Sequence, residues 1–504
     1  MTGGRPRGER FDALRRFDAL WLAAPLALVA ALFFRDAFRP NPDAYYHVKC
    51  ALLYLREGWI DRFPWLPYTS LAEFPNAYVA YHWLMAPLHW IFEPERVIPV
   101  AGAAFAAAIP VSAWAVLRRW NVSLPGLWVA LLCLGSPVIT TYFGTLKGGA
   151  LFFVLLPWFL HFLLRGSALG VFAIVFVATW SYVGAFLLPA LAALFCLAAG
   201  DLRDAGRRGV AIAALAAFAA GMLLRPEPVL FAHHVAAELA SSYARPDWMV
   251  AGRELGAEWG TLSAGEWLGR SYATVALLAL FVLAQLRRGG PGGRGGMAAA
   301  DVAAIVVCLA LLGYSLFSGP KLLHLFSVAS LVVLPLLADR YRPLAPRAVA
   351  CVALLAAANA AFVSWRALEA RYPLEAPATY AALAKELVAH SEPGEIVVAP
   401  WGAFPGLFFY DDHNRYVAGM NTLFLLARSP ERFDAYTSLY AGRATRPEAL
   451  LPRHFGDARL VLVRLGVSGS GRLARQLAAS PHFSEIALPV EGWRLFRLGE
   501  PRER

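Results

Sequence analysis

The sequence predicts an α-helical polytopic membrane protein of about eleven transmembrane helices, closed by a small C-terminal α/β domain. Three observations carry this. Of 504 residues, 59% are apolar and only 16% charged, and a mean hydropathy of +0.51 cannot be spread over a water-facing globule of that length. Apolar runs near the roughly 17–25 residues needed to cross about 30 Å of hydrocarbon recur along the first three quarters of the chain. Near residue 366 charged residues return and apolar runs shorten to strand length.

The spans fall near 18–35, 97–117, 123–141, 148–164, 167–182, 184–199, 208–224, 271–287, 299–317, 321–338 and 346–364. Each must be helical, because lipid cannot satisfy an open backbone. Short basic loops then orient the chain. Arg5, Arg7, Arg10, Arg15 and Arg16 precede the first span. Later clusters stand at Arg118 and Arg119, at Arg165, at Arg203, Arg207 and Arg208, at Arg287, Arg288 and Arg294, and at Arg340, Arg342 and Arg347. With a cytoplasmic N-terminus, eleven spans put every cluster on the cytoplasmic side of the inner (plasma) membrane, as the positive-inside rule requires. One long tilted helix over 167–199 would invert everything downstream, and the basic loops that follow argue for two short spans.

The first apolar run lacks a small-residue cleavage site and is expected to stay as a signal anchor. Segment 76–92, with His82, His89, Pro87 and several Trp and Tyr residues, suits an interfacial helix better than a span. A formal charge of +11 follows from attraction of cytoplasmic loops to anionic lipid and calls for no nucleic-acid partner. The five cysteines, Cys50, Cys133, Cys196, Cys308 and Cys351, form no metal-ligand spacing and read as packing residues. RRGGPGGRGG at 287–296 reads as a flexible linker. No inverted repeat of the transporter kind is visible.

The sequence divides into a membrane domain, 1–365, and an extracytoplasmic α/β domain, 366–504. In the latter, EIVVAP (395–400) and RLVLVRL (459–465) read as buried strands, while ATYAALAKELVAH and SGRLARQLAAS carry helical spacing. No Gly-rich phosphate loop follows either strand.

Three extracytoplasmic segments collect the unusual polar residues: 36–96, 142–147 and 225–270. The first is far longer than a connector, and long loops in compact proteins are usually functional. Asp43, His47, Lys49 and Arg56 around Leu52, Leu53 and Leu55 describe an amphipathic helix at the interface, with Asp43 either a helix cap or a reactive carboxylate. In the third, His233 and His234 are adjacent and do not form the i, i+4 pair of a zinc helix. Lys321 begins a span with His324 one turn on, where a cation can meet a phosphate at headgroup depth or simply snorkel.

The order of a first span, DAYYH, RFPWLPYTSLAEF and then YHWLMAPLHWIF resembles the first external loop of the GT-C superfamily of integral-membrane glycosyltransferases. That superfamily includes the oligosaccharyltransferase catalytic subunits and the dolichyl-phosphate-mannose mannosyltransferases. The chain looks most like the archaeal oligosaccharyltransferase type. It is also similar to a bacterial branch in which a segment like RPEPVLF and a pair like Glu258–Trp259 precede a small soluble domain. The resemblance implies transfer of a sugar, in the hexosyltransferase class, from a polyprenyl-phosphate-type carrier to an acceptor outside the membrane. Asp43 matches the family's first-loop acid, a base or metal ligand, and His47 a neighbouring position. Lys147, Arg225 and Lys321 are then expected to hold the lipid phosphate, and Tyr45, Tyr46, His82, Glu258 and Trp259, with Trp83, to line the substrate cavity. The second-loop acids that hold a divalent cation in the oligosaccharyltransferases are absent from TYFGTLKGG, as is their WWDYG motif. A Mg or Mn ion is therefore a possible cofactor that the residues do not specify. The rival readings are a transporter or flippase for a lipid-linked substrate, and a non-catalytic relative that binds the carrier.

Overall fold

Proline sets where many of the helices begin, since it lacks the N–H that a first turn cannot use. The computed structural model describes residues 18–35, 40–73, 76–143, 145–200, 205–243, 274–283, 298–341 and 375–499, apart from 280, 319 and 467–468, with a few isolated positions besides. The membrane part comprises α1 (Ala23–Phe33), α2 (Pro42–Glu57), α3 (Val79–Met85), α4 (Pro94–Arg119), α5 (Pro125–Leu134), α6 (Pro137–Phe143), α7 (Ala150–Arg165), α8 (Ala168–Ser181), α9 (Leu187–Ala198), α10 (Ala205–Leu223), α11 (Pro228–Tyr243), α12 (Ala299–Ser318) and α13 (Pro320–Tyr341).

Among the described residues, three helices are long and apolar enough to cross a membrane alone: Pro94–Arg119, Gly206–Leu223 and Leu322–Tyr341. Shorter apolar helices fill the space between them, so the chain is a helical membrane protein, while the tally of eleven spans rests on the sequence. The span expected over 123–141 is two helices. Pro137 offers no N–H to a continuing ladder, and the chain breaks before it. The stretch 167–199 is likewise two helices, interrupted where Tyr182 turns extended (φ −160°, ψ 135°). The span expected at 346–364 lies almost wholly outside the described residues.

The C-terminal part forms α14 (Pro377–Ala389), β1 (Ile396–Val398), α15 (Phe404–Tyr410), β2 (Arg415–Tyr416), α16 (Leu423–Arg428), α17 (Pro430–Tyr440), α18 (Pro447–Phe455), β3 (Leu460–Arg464), α19 (Ser470–Ala479), β4 (Phe483–Ile486) and β5 (Trp493–Leu498). The strands make one mixed sheet in the order β2-β1-β3-β5-β4. β1 runs parallel to β2 and β3, and β5 antiparallel to β3 and β4. Both strands read from the sequence sit inside this sheet because their apolar runs are covered on both faces.

α2 joins the two parts. Ten of its 16 residues are buried, which corrects the expected surface-lying amphipathic helix. The face that carries Tyr45 and Lys49 is covered by the C-terminal domain, a partner that helical periodicity cannot show. Tyr45 sets its ring 5.5 Å from Tyr380 and 5.3 Å from Phe409. Lys49 Nζ lies 3.0 Å from Asp412 Oδ2, Trp65 Nε1 donates to Asp412 O, and Tyr416 N donates to Trp65 O. Residues of α2, the segment that follows it and the sheet share one continuous apolar core.

Candidate active site

The sequence NPDAYYH folds as a capped helix start. Asn41 is extended (φ −61°, ψ 141°), its Oδ1 accepts the Asp43 N–H at 3.0 Å, and Pro42 occupies the first turn. Asn41 is the cap. The Asp43 carboxylate is therefore left for other work. It stands four residues before His47 and so on the same helical face. Its charge reaches Tyr81 and Tyr142, whose hydroxyls are buried without a hydrogen-bond partner among the described residues. Burial first, then the Asp43 carboxylate, hold the Tyr81 hydroxyl protonated well above the usual phenol range.

Below Asp43 runs a buried polar chain. His47 Nδ1 lies 2.9 Å from His82 Nε2, His82 Nδ1 lies 3.1 Å from Asn76 Nδ2, and Asn76 Nδ2 donates to Tyr54 Oη at 2.7 Å. Asn76 Oδ1 accepts the Tyr78 N–H at 2.9 Å. Burial lowers His47 from the usual imidazole value to about 3. Burial and then the His47 ring keep His82 well below the usual range too. Both imidazoles are neutral at ordinary pH. Around them stand Tyr78 and Tyr81, with ring centroids 4.8 and 5.3 Å from His47, and Tyr182, 6.2 Å from Tyr78.

The TLKGG turn closes against this wall. A Cβ on Gly148 would fall 2.4 Å from Tyr78 Cε1 and 2.9 Å from His47 Cε1, and one on Gly149 3.2 Å from Tyr142 Oη. Only residues without side chains let the backbone approach so closely. Lys147, the residue before Gly148, is half-buried in this turn. Lys321 stands in the first turn of α13, and its side chain lies outside the described residues. His324, one turn later, has its ring 5.2 Å from Tyr142, so this helix starts beside the same wall.

Other expected site residues are placed elsewhere. Arg225 is 6% exposed, donates to Asn76 O and Thr179 O at 2.6 Å each, and lies 3.6 Å over the Phe231 ring. Burial pulls its pKa down to about 9. It pins the backbone of Asn76. Tyr45 is the domain-docking residue described above, and Tyr46 packs its ring 5.9 Å from Phe63. Both are buried, so neither offers a face to a sugar. His82 supports His47 from within. Trp83 is exposed and stands 6.2 Å from Trp59. Glu258 and Trp259 lie outside the described residues.

Among the described residues no three His, Cys, Asp or Glu side chains gather as a metal-holding group. His47 and His82 use their facing nitrogens on each other. Sequence reasoning missed Tyr54, Asn76, Tyr78, Tyr81, Tyr142 and Tyr182. The density of NAYVAYH at 76–82 signals three of these. Nothing local ties Tyr54 or Tyr142 to Asp43.

No family model and no curated protein matches the chain. Among solved structures, ArnT from Cupriavidus metallidurans bound to undecaprenyl phosphate is similar with a TM-score of 0.60 at 15% identity, over 95% of this chain and 97% of that one. The archaeal oligosaccharyltransferase AglB from Archaeoglobus fulgidus, in complex with an inhibitory peptide and a dolichol-phosphate, gives a TM-score of 0.61 at 12% identity. That match spans 97% of this chain and 75% of AglB. The likeness at these identities is one of fold, and it extends over nearly the whole chain.

Proposed function

We propose that this chain, whose fold is that of the GT-C superfamily, transfers a sugar from a polyprenyl-phosphate-type carrier to an acceptor at the extracytoplasmic face of the membrane. The two similar structures hold undecaprenyl phosphate and dolichol-phosphate, which supports a carrier of that chemistry here. The observation that carries the reading is the Asp43 carboxylate. It is freed from capping, set one turn from His47 and backed by the close approach of Gly148 to the His47 and Tyr78 rings.

The reaction follows from these groups. Asp43 takes the proton of an acceptor hydroxyl as its oxygen forms a bond to the anomeric carbon. The bond from that carbon to the carrier's phosphate oxygen breaks, and the electron pair leaves with the phosphate. Lys147, in the neighbouring 145–149 loop, and the His47 ring stabilise the charge that develops. The carrier's isoprenoid tail stays in lipid while its head reaches these loop residues. A flippase is less favoured, because Asp43, His47, Asn76 and His82 gather in the segment after the first span, whereas transporters set such groups on broken helices at the bilayer midplane.

The test is purified protein in lipid with polyprenyl-phosphate sugars and envelope extracts as acceptor source. Asp43→Asn should lower transfer by about 10²–10⁴, the usual worth of a general base. Full transfer by that variant would remove Asp43 from the mechanism.

A further inference from the structure

We infer that His82, Asn76, Tyr54 and Arg225 lock His47 in a single neutral tautomer, with its proton on Nε2, as a hydrogen-bond donor to a phosphate oxygen of the carrier. The identity of the ligand rests on the function proposed above. The tautomer does not.

The direction of the chain follows from one atom. Asn76 Oδ1 accepts the Tyr78 N–H, and an amide NH2 in that place would set two donors against each other. The Asn76 nitrogen therefore faces His82 and Tyr54, one hydrogen for each. His82 Nδ1 must accept, which puts the His82 proton on Nε2. That proton points at His47 Nδ1, 2.9 Å away. His47 Nδ1 must accept in turn, so its own proton stands on Nε2. The opposite polarity would require Asn76 to flip. Its backbone carbonyl is held by Arg225, whose second terminal nitrogen is anchored on Thr179 O, and its Oδ1 is held by the chain two residues on.

Burial holds both rings neutral. His47 is thus a donor without charge and without a base's lone pair toward the ligand, which leaves proton abstraction to Asp43. A fixed neutral N–H suits an anionic oxygen at a buried site. It stabilises charge without the cost of burying a cation there. Tyr54, Asn76, His82 and Arg225 touch no ligand in this scheme and are positioning residues.

The test is nitrogen NMR of the full-length protein, labelled with ¹⁵N in histidine and held in lipid nanodiscs without substrate. Signals are assigned by their loss in His47→Gln and His82→Gln. Both rings should show a protonated Nε2 and a bare Nδ1. Asn76→Asp replaces the donor by an acceptor and should reverse the chain, moving the proton to Nδ1 in both rings. A wild-type His47 protonated on Nδ1, or tautomers unmoved by Asn76→Asp, overturns the lock. If Asn76→Asp does not fold, the wild-type spectrum alone decides.

Undecaprenyl phosphate added to the same discs should shift His47 Nε2 and leave His82 Nδ1 in place. An unmoved Nε2 overturns the phosphate assignment. In transfer assays His47→Gln, whose amide nitrogen mimics Nε2–H, should stay within about tenfold of wild type, and His47→Asn should lose about 10²–10³, the worth of one oxyanion donor. Equal loss in both variants counts against the donor role. Failure of all transfer with the expected tautomers present would refute the proposed function and leave the lock standing.

Discussion

Asp412→Asn should destabilise the protein more than Lys49→Met, although both delete the same ion pair. Lys49 is carried by the buried helix α2, its side chain is 7% exposed, and its ammonium lies 3.0 Å from Asp412, which is 48% exposed. Replacing Asp412 leaves a nearly buried cation facing a neutral amide and the Phe408 ring, 5.7 Å from its centroid. Breaking a fully buried pair costs about 3–5 kcal/mol, and a surface pair is worth about 0–1 kcal/mol. Half-exposed Asp412 lies between these limits, so Asp412→Asn is expected to cost about 1.5–3 kcal/mol. Lys49→Met removes the desolvated charge, keeps most of the stem's volume and returns Asp412 to water, for a cost under about 1 kcal/mol. The assay is thermal unfolding of both single variants and the double variant in one detergent, with transfer measured alongside. Because Lys49 sits two residues from His47, undocking by Asp412→Asn should also slow transfer. A cost for Lys49→Met equal to or above that of Asp412→Asn would refute the argument that a stranded buried ammonium dominates.

Three further outcomes follow from the geometry. Gly148→Ala forces its Cβ into Tyr78 and His47 and should cost about 1–3 kcal/mol with a marked loss of transfer, whereas Gly149→Ala should be the milder of the two; melting and rate measurements on the pair decide. Acid should destabilise the fold through His47. Its folded pKa is depressed to about 3, so its contribution is fully present above the unfolded value near 6.5 and is lost as pH falls toward 3. From pH 6.5 to 5 this amounts to roughly 2 kcal/mol, and His47→Gln should flatten the fall of melting temperature with pH; parallel curves would contradict it. Arg225→Met leaves the Asn76 and Thr179 carbonyls unpaired and should cost about 1–3 kcal/mol per orphaned group, read by melting. A variant as stable as wild type would deny Arg225 its bracing part.

Composition and periodicity are local properties, and what they determine here is local. Apolar runs with Arg-rich ends make a helical membrane protein, because a continuous apolar run of that length satisfies its own backbone in lipid only as a helix. The runs EIVVAP and RLVLVRL foretell two of the three inner strands of the C-terminal sheet, which appear in those places. The loop chemistry of 41–47 also marked Asp43 and His47, since a carboxylate and an imidazole one turn apart are visible in one dimension.

Tertiary structure alone decided what each polar residue does. Asn41, not Asp43, is the cap, a choice between two side chains two residues apart that turns on a single hydrogen bond. Tyr45 became a docking residue because the C-terminal domain, more than 300 residues on, covers its face of α2. The polarity of the His47–His82 chain depends on contacts spanning 35 residues to His82 and 149 from Asn76 to Arg225. A proton's position on a ring is set by which donor or acceptor stands opposite. No spacing rule reaches across such separations, because the partners meet only after the helices between them have packed.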